Sequence, residues 1–276
     1  MNMATAQKWT RFGWAALTYI VVLLLIFPVI WMVITAFKTE VAAISIPPSL
    51  FFAPTLSQFA IAINSGFGAY LFNSAVASLV STALALCLAI PAAYAMVFQM
   101  RKKPADDMLF FVLSTRFLPF AAILVPIFVI VSRLNLLDNL LTLIIVYTAM
   151  NLPLLIWMSR SYFLDLPKEV LEGAWLDGAT TLQTMVRIVV PMAAPGLAAA
   201  ALLSIIFAWN DFFFAVTLTY TNSPTLPIMV AAFTTNEGLF LAKISALATM
   251  IILVPVAIGI YAQKYLVHGL TGGALK

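Results

Sequence analysis

Residues 164–195 read LDLPKEVLEGAWLDGATTLQTMVRIVVPMAAP and hold six of the chain's 24 charged residues, 14 basic plus 10 acidic. Long apolar runs flank them on both sides. The stretch is a polar interruption whose spacing predicts two short helices. Pro167 suits a first helical turn, where its missing N–H costs nothing. Glu169 and Glu172 then sit near the positive end of the helix dipole. Val170, Leu171, Ala174 and Trp175 fall on one apolar face at helical spacing. Gly178 permits a sharp turn or a close backbone approach. Thr180 or Thr181 is placed to cap a second helix, expected to run through Val190 and to end at Pro191.

Composition sets the solvent around this interruption. Hydrophobic residues make up 64% of the 276 residues and charged residues 9%, with a mean hydropathy of +1.08. A soluble domain carries about 25% charged residues. A fold of this length cannot hide so much apolar surface, so the solvent is lipid. The pI near 9.2 does not indicate nucleic acid. The basic residues are scattered at segment ends, as expected of loops facing anionic lipid.

The uncharged runs place the spans. Arg11 and Lys38 bracket 26 uncharged residues, and Glu40 and Arg101 bracket 60, the latter broken by Pro47, Pro48, Pro54, Gly66 and Gly68. A span needs about 20 residues. The expected spans are therefore 12–37, 70–99, 108–132 with Arg116 inside, 139–159, 196–220 with Asp211 inside, and 244–263. The stretch 41–69 is expected to be a loop, with room for a helix lying in the interface. Six spans put both termini on one side. If that side is cytoplasmic, the inner segments hold Lys8, Arg11, Arg101, Lys102, Lys103, Arg160, Lys168, Arg187, Lys264 and Lys276. The outer segments hold only Lys38, Arg133 and Lys243. The excess of inner basic residues orients the chain and places 164–195 in the cytoplasm. The first apolar run is too long for the core of a signal peptide and reads as a retained helix.

Several chemistries are poorly served. Cys87 is the sole cysteine and His268 the sole histidine, which leaves no disulfide framework, thiolate metal site or histidine-based centre. No catalytic or metal-binding residue is assigned. A phosphate-binding glycine loop is absent, so ATP, if used, binds another chain.

Within 164–195, Glu172-Gly173-Ala174, Asp177-Gly178-Ala179 and Pro191 stand at the spacing EAAxxDGAx5Fx5P, with Gly173 in place of the first Ala and Met185 in place of Phe. This resembles the EAA loop of ABC importer permeases, the element that docks onto the ATPase subunit. Ser114-Thr115-Arg116-Phe117-Leu118-Pro119, Leu136-Leu137-Asp138, Trp209-Asn210-Asp211-Phe212 and the tail from Gln263 through Gly269-Leu270-Thr271 to Lys276 are similar to segments of carbohydrate permeases. The likeness covers about 70–276 and points to the second, shorter permease of maltose, glycerol-phosphate, trehalose and polyol systems. Residues 236–243 look closest to the polyol branch.

The resemblance implies an all-α membrane protein with the type I ABC importer permease fold. It implies one permease domain over 1–276, multi-pass in a bacterial inner membrane. Glu169, Glu172, Gly173, Ala174, Asp177, Gly178 and Ala179 would couple to the ATPase. The implied partners are a homologous second permease, two ATPase subunits carrying ATP and magnesium, and an extracytoplasmic binding protein that delivers the sugar. No cofactor is expected in this chain itself. The rival readings are a permease for a non-sugar solute, a membrane-embedded enzyme and a channel. An enzyme would need a set of reactive groups in the spans, where only Arg116 and Asp211 are charged.

Charges in lipid face the bundle interior, a partner or a water-filled path. Arg116 and Asp211 are thus either path residues or structural pins. Counted from the cytoplasmic ends, Arg116 lies about 12 Å deep and Asp211 about 22 Å, so they pair directly only if the helices are staggered. Asp211 calls for a basic group, an amide or water as its partner. Tyr147, Thr148 and Asn151, with Trp209 and Asn210, offer hydrogen bonds and a ring to a sugar. The aromatic residues among them serve equally as interface anchors.

Overall fold

The computed structural model describes residues 3–235 and 238–271, with side chains given except at 3–10, 120, 121, 234, 235, 238, 239 and 262–271. Among the described residues the regular structure is helical apart from one antiparallel pair of two-residue strands, β1 Thr234–Thr235 and β2 Gly238–Leu239. Among the described residues, five helices are long and apolar enough to cross a membrane, and a sixth crossing is available as a bent pair. The resemblances carried by Asn236 and Glu237 and by the tail from Gln263 lie outside the residues whose side chains are described.

One compact unit comprises Met1–Gly66 and Ala232–Ile252. It contains α1 Met3–Ala36, α2 Glu40–Ala43, α3 Ser57–Asn64 and the start of α12 Leu241–Thr271. Within 41–69, α3 is the one regular element of any length. Lys38 is buried there. Its ammonium donates to Ser49 O at 2.7 Å and lies 4.5 Å from the Trp31 ring centre and 5.1 Å from that of Phe52. Glu40 caps α12, accepting from the N–H groups of Ala242 at 3.0 Å and Lys243 at 2.9 Å. A carboxylate at a helix N-terminus satisfies orphan donors and complements the dipole.

The second unit comprises Phe67–Ala231 and Leu253–Lys276. Its centre is three packed helices: α4 Phe67–Phe98, α7 Leu140–Leu164 and α9 Thr181–Trp209. The buried face of α4 is small and polar: Ser74, Ala77, Ser78, Ser81, Thr82, Ala85, Ala89 and Ala93. Small residues let helix backbones approach in lipid, where no hydrophobic drive separates helix from tail. Hydrogen bonds then tie the helices. Thr82 and Ser204 hydroxyls meet at 2.9 Å, the Thr148 hydroxyl donates to Ser81 O at 3.3 Å, and Asn151 Nδ2 donates to Ser204 O at 3.4 Å.

Two expected spans are redrawn. The third is not one helix over 108–132. It is α5 Lys102–Ser114, a 3-10 turn Thr115–Phe117, and α6 Phe120–Arg133, bent by 86°. The break falls at Leu118, which is extended (φ −66°, ψ 129°), because a residue before proline is pushed out of the helical region. The fifth span starts at Thr181 rather than Gly196 and stops at Trp209, short of Asp211. Pro191 does not end the preceding helix. A π turn over Met185–Val189 brings the Val190 N–H to Met185 O, and the wider turn absorbs the proline's missing donor. Beyond Trp209 the backbone opens, then re-forms as α10 Phe213–Leu218 and α11 Leu226–Ala232.

Candidate functional site

The segment 164–195 folds as a lever seated on the three-helix centre. α8 Lys168–Leu176 buries Leu171 among Tyr94, Phe163 and Val189. Its end is a Schellman turn. Ala179 N–H donates to Ala174 O at 3.0 Å, and Gly178 N–H donates to Trp175 O at 3.1 Å. Gly178 sits at φ +81°, where a side chain is strained. Thr180 then starts α9 with a capping box. Its hydroxyl accepts from Gln183 N–H at 3.3 Å, and Gln183 Oε1 accepts from Thr180 N–H at 2.9 Å. The sequence thus anticipates the cap at Thr180, but not that the second short helix is the beginning of a span. The apolar face of α8 divides. Leu171 is the anchor, whereas Val170, Trp175 and Leu176 are exposed, Leu176 at 89%. Glu169 and Glu172 are exposed beside them. Glu172 and Trp175 also border a cleft of about 240 Å³ closed by Val97, Phe98 and Leu166.

The polar residues expected within the spans separate into two sets. Tyr147, Asn151 and Trp209 are buried among the packed helices. Arg116 and Asn210 are exposed, and Asp211 is half-buried. The Tyr147 hydroxyl donates to Asp211 Oδ2 at 2.9 Å, which also accepts from Ala215 N–H at 3.2 Å. The partner of Asp211 is therefore a hydroxyl with backbone support, not a basic or amide group. Arg116 Nη1 donates to Met150 O at 3.3 Å, and its guanidinium lies 5.3 Å from the Phe207 ring centre. The Asn210 amide turns back to Ile206 O at 2.8 Å. An apolar cavity of about 430 Å³ opens beside Arg116, between α6 and α7, walled by Ile123, Ile127, Val131 and Val146. Its walls are mainly apolar, with Thr115, Arg116 and Thr142 as polar members of the lining.

Opposite the lever, Asp138 organises the return loop. At φ +55° it accepts from the N–H groups of Tyr220 at 2.8 Å, Thr221 at 3.0 Å, Asn222 at 2.9 Å and Ser223 at 3.1 Å. Burial alone would raise its pKa, but these four donors outweigh that and hold it at about 2. Asn73 Nδ2 donates to Pro224 O at 3.0 Å, and Ser74 Oγ accepts from Leu226 N–H at 2.8 Å, so α4 grips the same loop. Asp138 enters the sequence reading only within a resemblance. Nothing in its spacing shows that a loop 82 residues away would wrap it, and Phe207 carries no signal there at all.

Residues 85–267 match the family described as binding-protein-dependent transport system inner membrane component. A probable ABC transporter permease protein of Sinorhizobium fredii is 36% identical over 97% of this chain and 95% of its own length. A sulfoquinovosyl glycerol transport system permease protein of Agrobacterium fabrum is 34% identical over 91% of this chain and 89% of its own. Among solved structures, a bacterial ABC transporter involved in import of the acidic polysaccharide alginate aligns with a TM-score of 0.75. It covers 95% of this chain and 98% of its own at 22% identity, a likeness of fold. With its apolar helices, its seated lever and these matches, the chain is a multi-pass membrane protein that belongs to the family of inner membrane components of binding-protein-dependent transport systems.

Proposed function

We propose that the chain is a permease subunit of an ATP-driven importer for a sugar or sugar derivative, with the lever at 164–195 docking an ATPase subunit at the cytoplasmic face. The observation that carries this is the division of α8. Leu171 fixes the helix to the spans, while Val170, Trp175 and Leu176 are exposed along with Glu169 and Glu172. A rigid helix with an uncovered apolar ridge fits a partner's cleft and passes the partner's motion directly to α7 and α9. Gly173, Ala174, Asp177, Gly178 and Ala179 shape the turn that aims it. The basic-residue bias favours both termini in the cytoplasm. Both compact units then serve one permease domain. The relative named for sulfoquinovosyl glycerol transport supports a glycoside cargo. The remaining assembly is a homologous second permease, two ATPases that hold ATP and magnesium, and an extracytoplasmic binding protein. The test is affinity purification of the tagged chain from its native membrane. An ATPase subunit should co-purify, and Leu176→Asp should abolish its recovery while the chain stays inserted. Undiminished recovery from that variant would remove the lever from the docking surface.

A further inference from the structure

The permease reading leaves open what chemistry the path accepts, and the following rests on that reading. Two charged side chains bond to α7: Arg116, from the turn between α5 and α6, and Asp211, from just past the end of α9. Arg116 is bonded to Met150 O and Asp211 to the Tyr147 hydroxyl. Tyr147 and Met150 are three residues apart, so they share a face of α7 at an axial separation of about 4.5 Å. Straight helices would set these charges about 10 Å apart in depth. The bend after Ser114 and the early end of α9 remove the straight helices on which that spacing depends.

Arg116 and Asp211, though opposite in charge, form no ion pair with each other. The ion pair found among the described residues joins Arg160 and Asp106 instead. Arg116 also lies against Phe207, which stands four residues before Asp211 on the chain and is 49% exposed. Met150 is ten residues from the start of α7 and fourteen from its end, or about 15 and 21 Å. The group therefore sits near the middle of the hydrocarbon layer, where a guanidinium that never loses its charge does not face lipid.

We propose that Arg116, Phe207 and Asp211 form a cargo bracket in the translocation path, fitted to an uncharged polyhydroxylated ring or chain. A hydroxyl is both donor and acceptor, and neighbouring hydroxyls present both functions a few ångströms apart. Arg116 has five N–H donors, of which Met150 takes one. Asp211 offers about four acceptor sites, part of which serve Tyr147, Ala215 and Phe214. Phe207 supplies the apolar face against which a sugar's C–H surface packs. The bracket carries one charge of each sign. An anionic cargo gains at Arg116 what it loses at Asp211, so the bracket selects neutral cargo.

The experiment uses the whole importer in nanodiscs, in a Cys87→Ser background with Asn210→Cys as reporter. Asn210 is exposed beside the bracket and its amide bonds only to its own helix. The thiol should react with a water-soluble methanethiosulfonate. Trehalose or sorbitol at about nine times its Kd should slow that reaction about tenfold, since protection by occupancy scales as 1 + [L]/Kd, and glucuronate should not. Adding Arg116→Gln should abolish protection by every probe. Adding Asp211→Asn leaves a net positive bracket, so glucuronate should now protect. A thiol that never reacts would mean that protein or lipid covers this face, and the bracket is wrong. Equal protection by glucuronate and the neutral probes, or protection by none, also overturns it. The permease reading is judged separately: it survives any of these results if the ATPase still co-purifies, and falls if it does not.

Discussion

The Tyr147 hydroxyl, on α7, donates to Asp211 Oδ2 at 2.9 Å across the break that follows α9. Without this bond the carboxylate would keep only backbone donors in a region where unsatisfied polar groups are expensive. Tyr147→Phe keeps the buried ring and removes the hydroxyl. It should cost about 1–3 kcal/mol, read as a lowered melting temperature of the purified complex. Asp211→Asn should cost less than Asp211→Leu, because the amide oxygen still accepts from Tyr147. Equal melting temperatures for wild type and Tyr147→Phe would show that the bond is not structural.

Asp138 gives a pH signature. Its folded pKa of about 2 lies below the ordinary carboxylate value, so the ionised form is favoured by folding. The resulting stabilisation is fully present above the ordinary value of about 4 and is lost as pH falls from there through about 2. Asp138→Asn should destabilise the protein at neutral pH, and the gap to wild type should narrow below pH 4. A gap that stays constant down to acid pH would count against the four-donor clamp as the source of the effect.

Gly196 carries a packing prediction. A Cβ added there would stand 2.4 Å from the Tyr162 ring, far inside contact distance. Gly196→Ala should destabilise by about 1–3 kcal/mol through overpacking. Tyr162→Ala alone should open a cavity, and the double variant should be more stable than the two single costs sum to. Simple additivity in thermal melts would show that α9 and α7 can shift apart at no cost.

At Gly178 the test separates backbone from side chain. A residue with φ near +81° costs about 1–2 kcal/mol when it bears a β-carbon, but asparagine tolerates that region better than most. Gly178→Asn should therefore retain more of the ATPase stimulation by loaded binding protein than Gly178→Val. Glu172→Lys should depress stimulation by reversing charge on the exposed rim, with the turn intact. If Val and Asn behave alike, the turn geometry is not what coupling requires.

The topology is open to direct labelling. In a Cys87→Ser background, Asn222→Cys should react with an impermeant maleimide added to intact cells, and Lys103→Cys should react only after permeabilisation. Both positions are exposed. The opposite pattern would invert the chain.

Some of this architecture is written in local sequence. The uncharged run of 12–37, the small-residue stripe of α4, the helix pair around Gly178 and the cap at Thr180 follow from composition, spacing and propensity, which depend on near neighbours only. The lever is legible for that reason, since its turn is built from bonds between residues a few places apart. The elbow at Leu118 was readable in principle from Pro119, but an apolar run conceals it, because lipid rewards continuity of apolar residues whether or not the helix is straight. Pro191 misleads in the opposite sense. Its local signal says stop, and a π turn lets the helix pass.

What the tertiary structure alone decided is which distant residues meet. Asp138 finds its four N–H donors more than eighty residues away, Asn73 reaches Pro224, and Tyr147 reaches Asp211. Arg116 reaches Met150 O and Asp211 meets the Tyr147 hydroxyl, both on α7, where one span bends and another ends early. Burial in lipid demands that each of these polar groups have a partner, and the sequence announces that demand. The partner's identity depends on how the helices pack against one another, which no local pattern encodes.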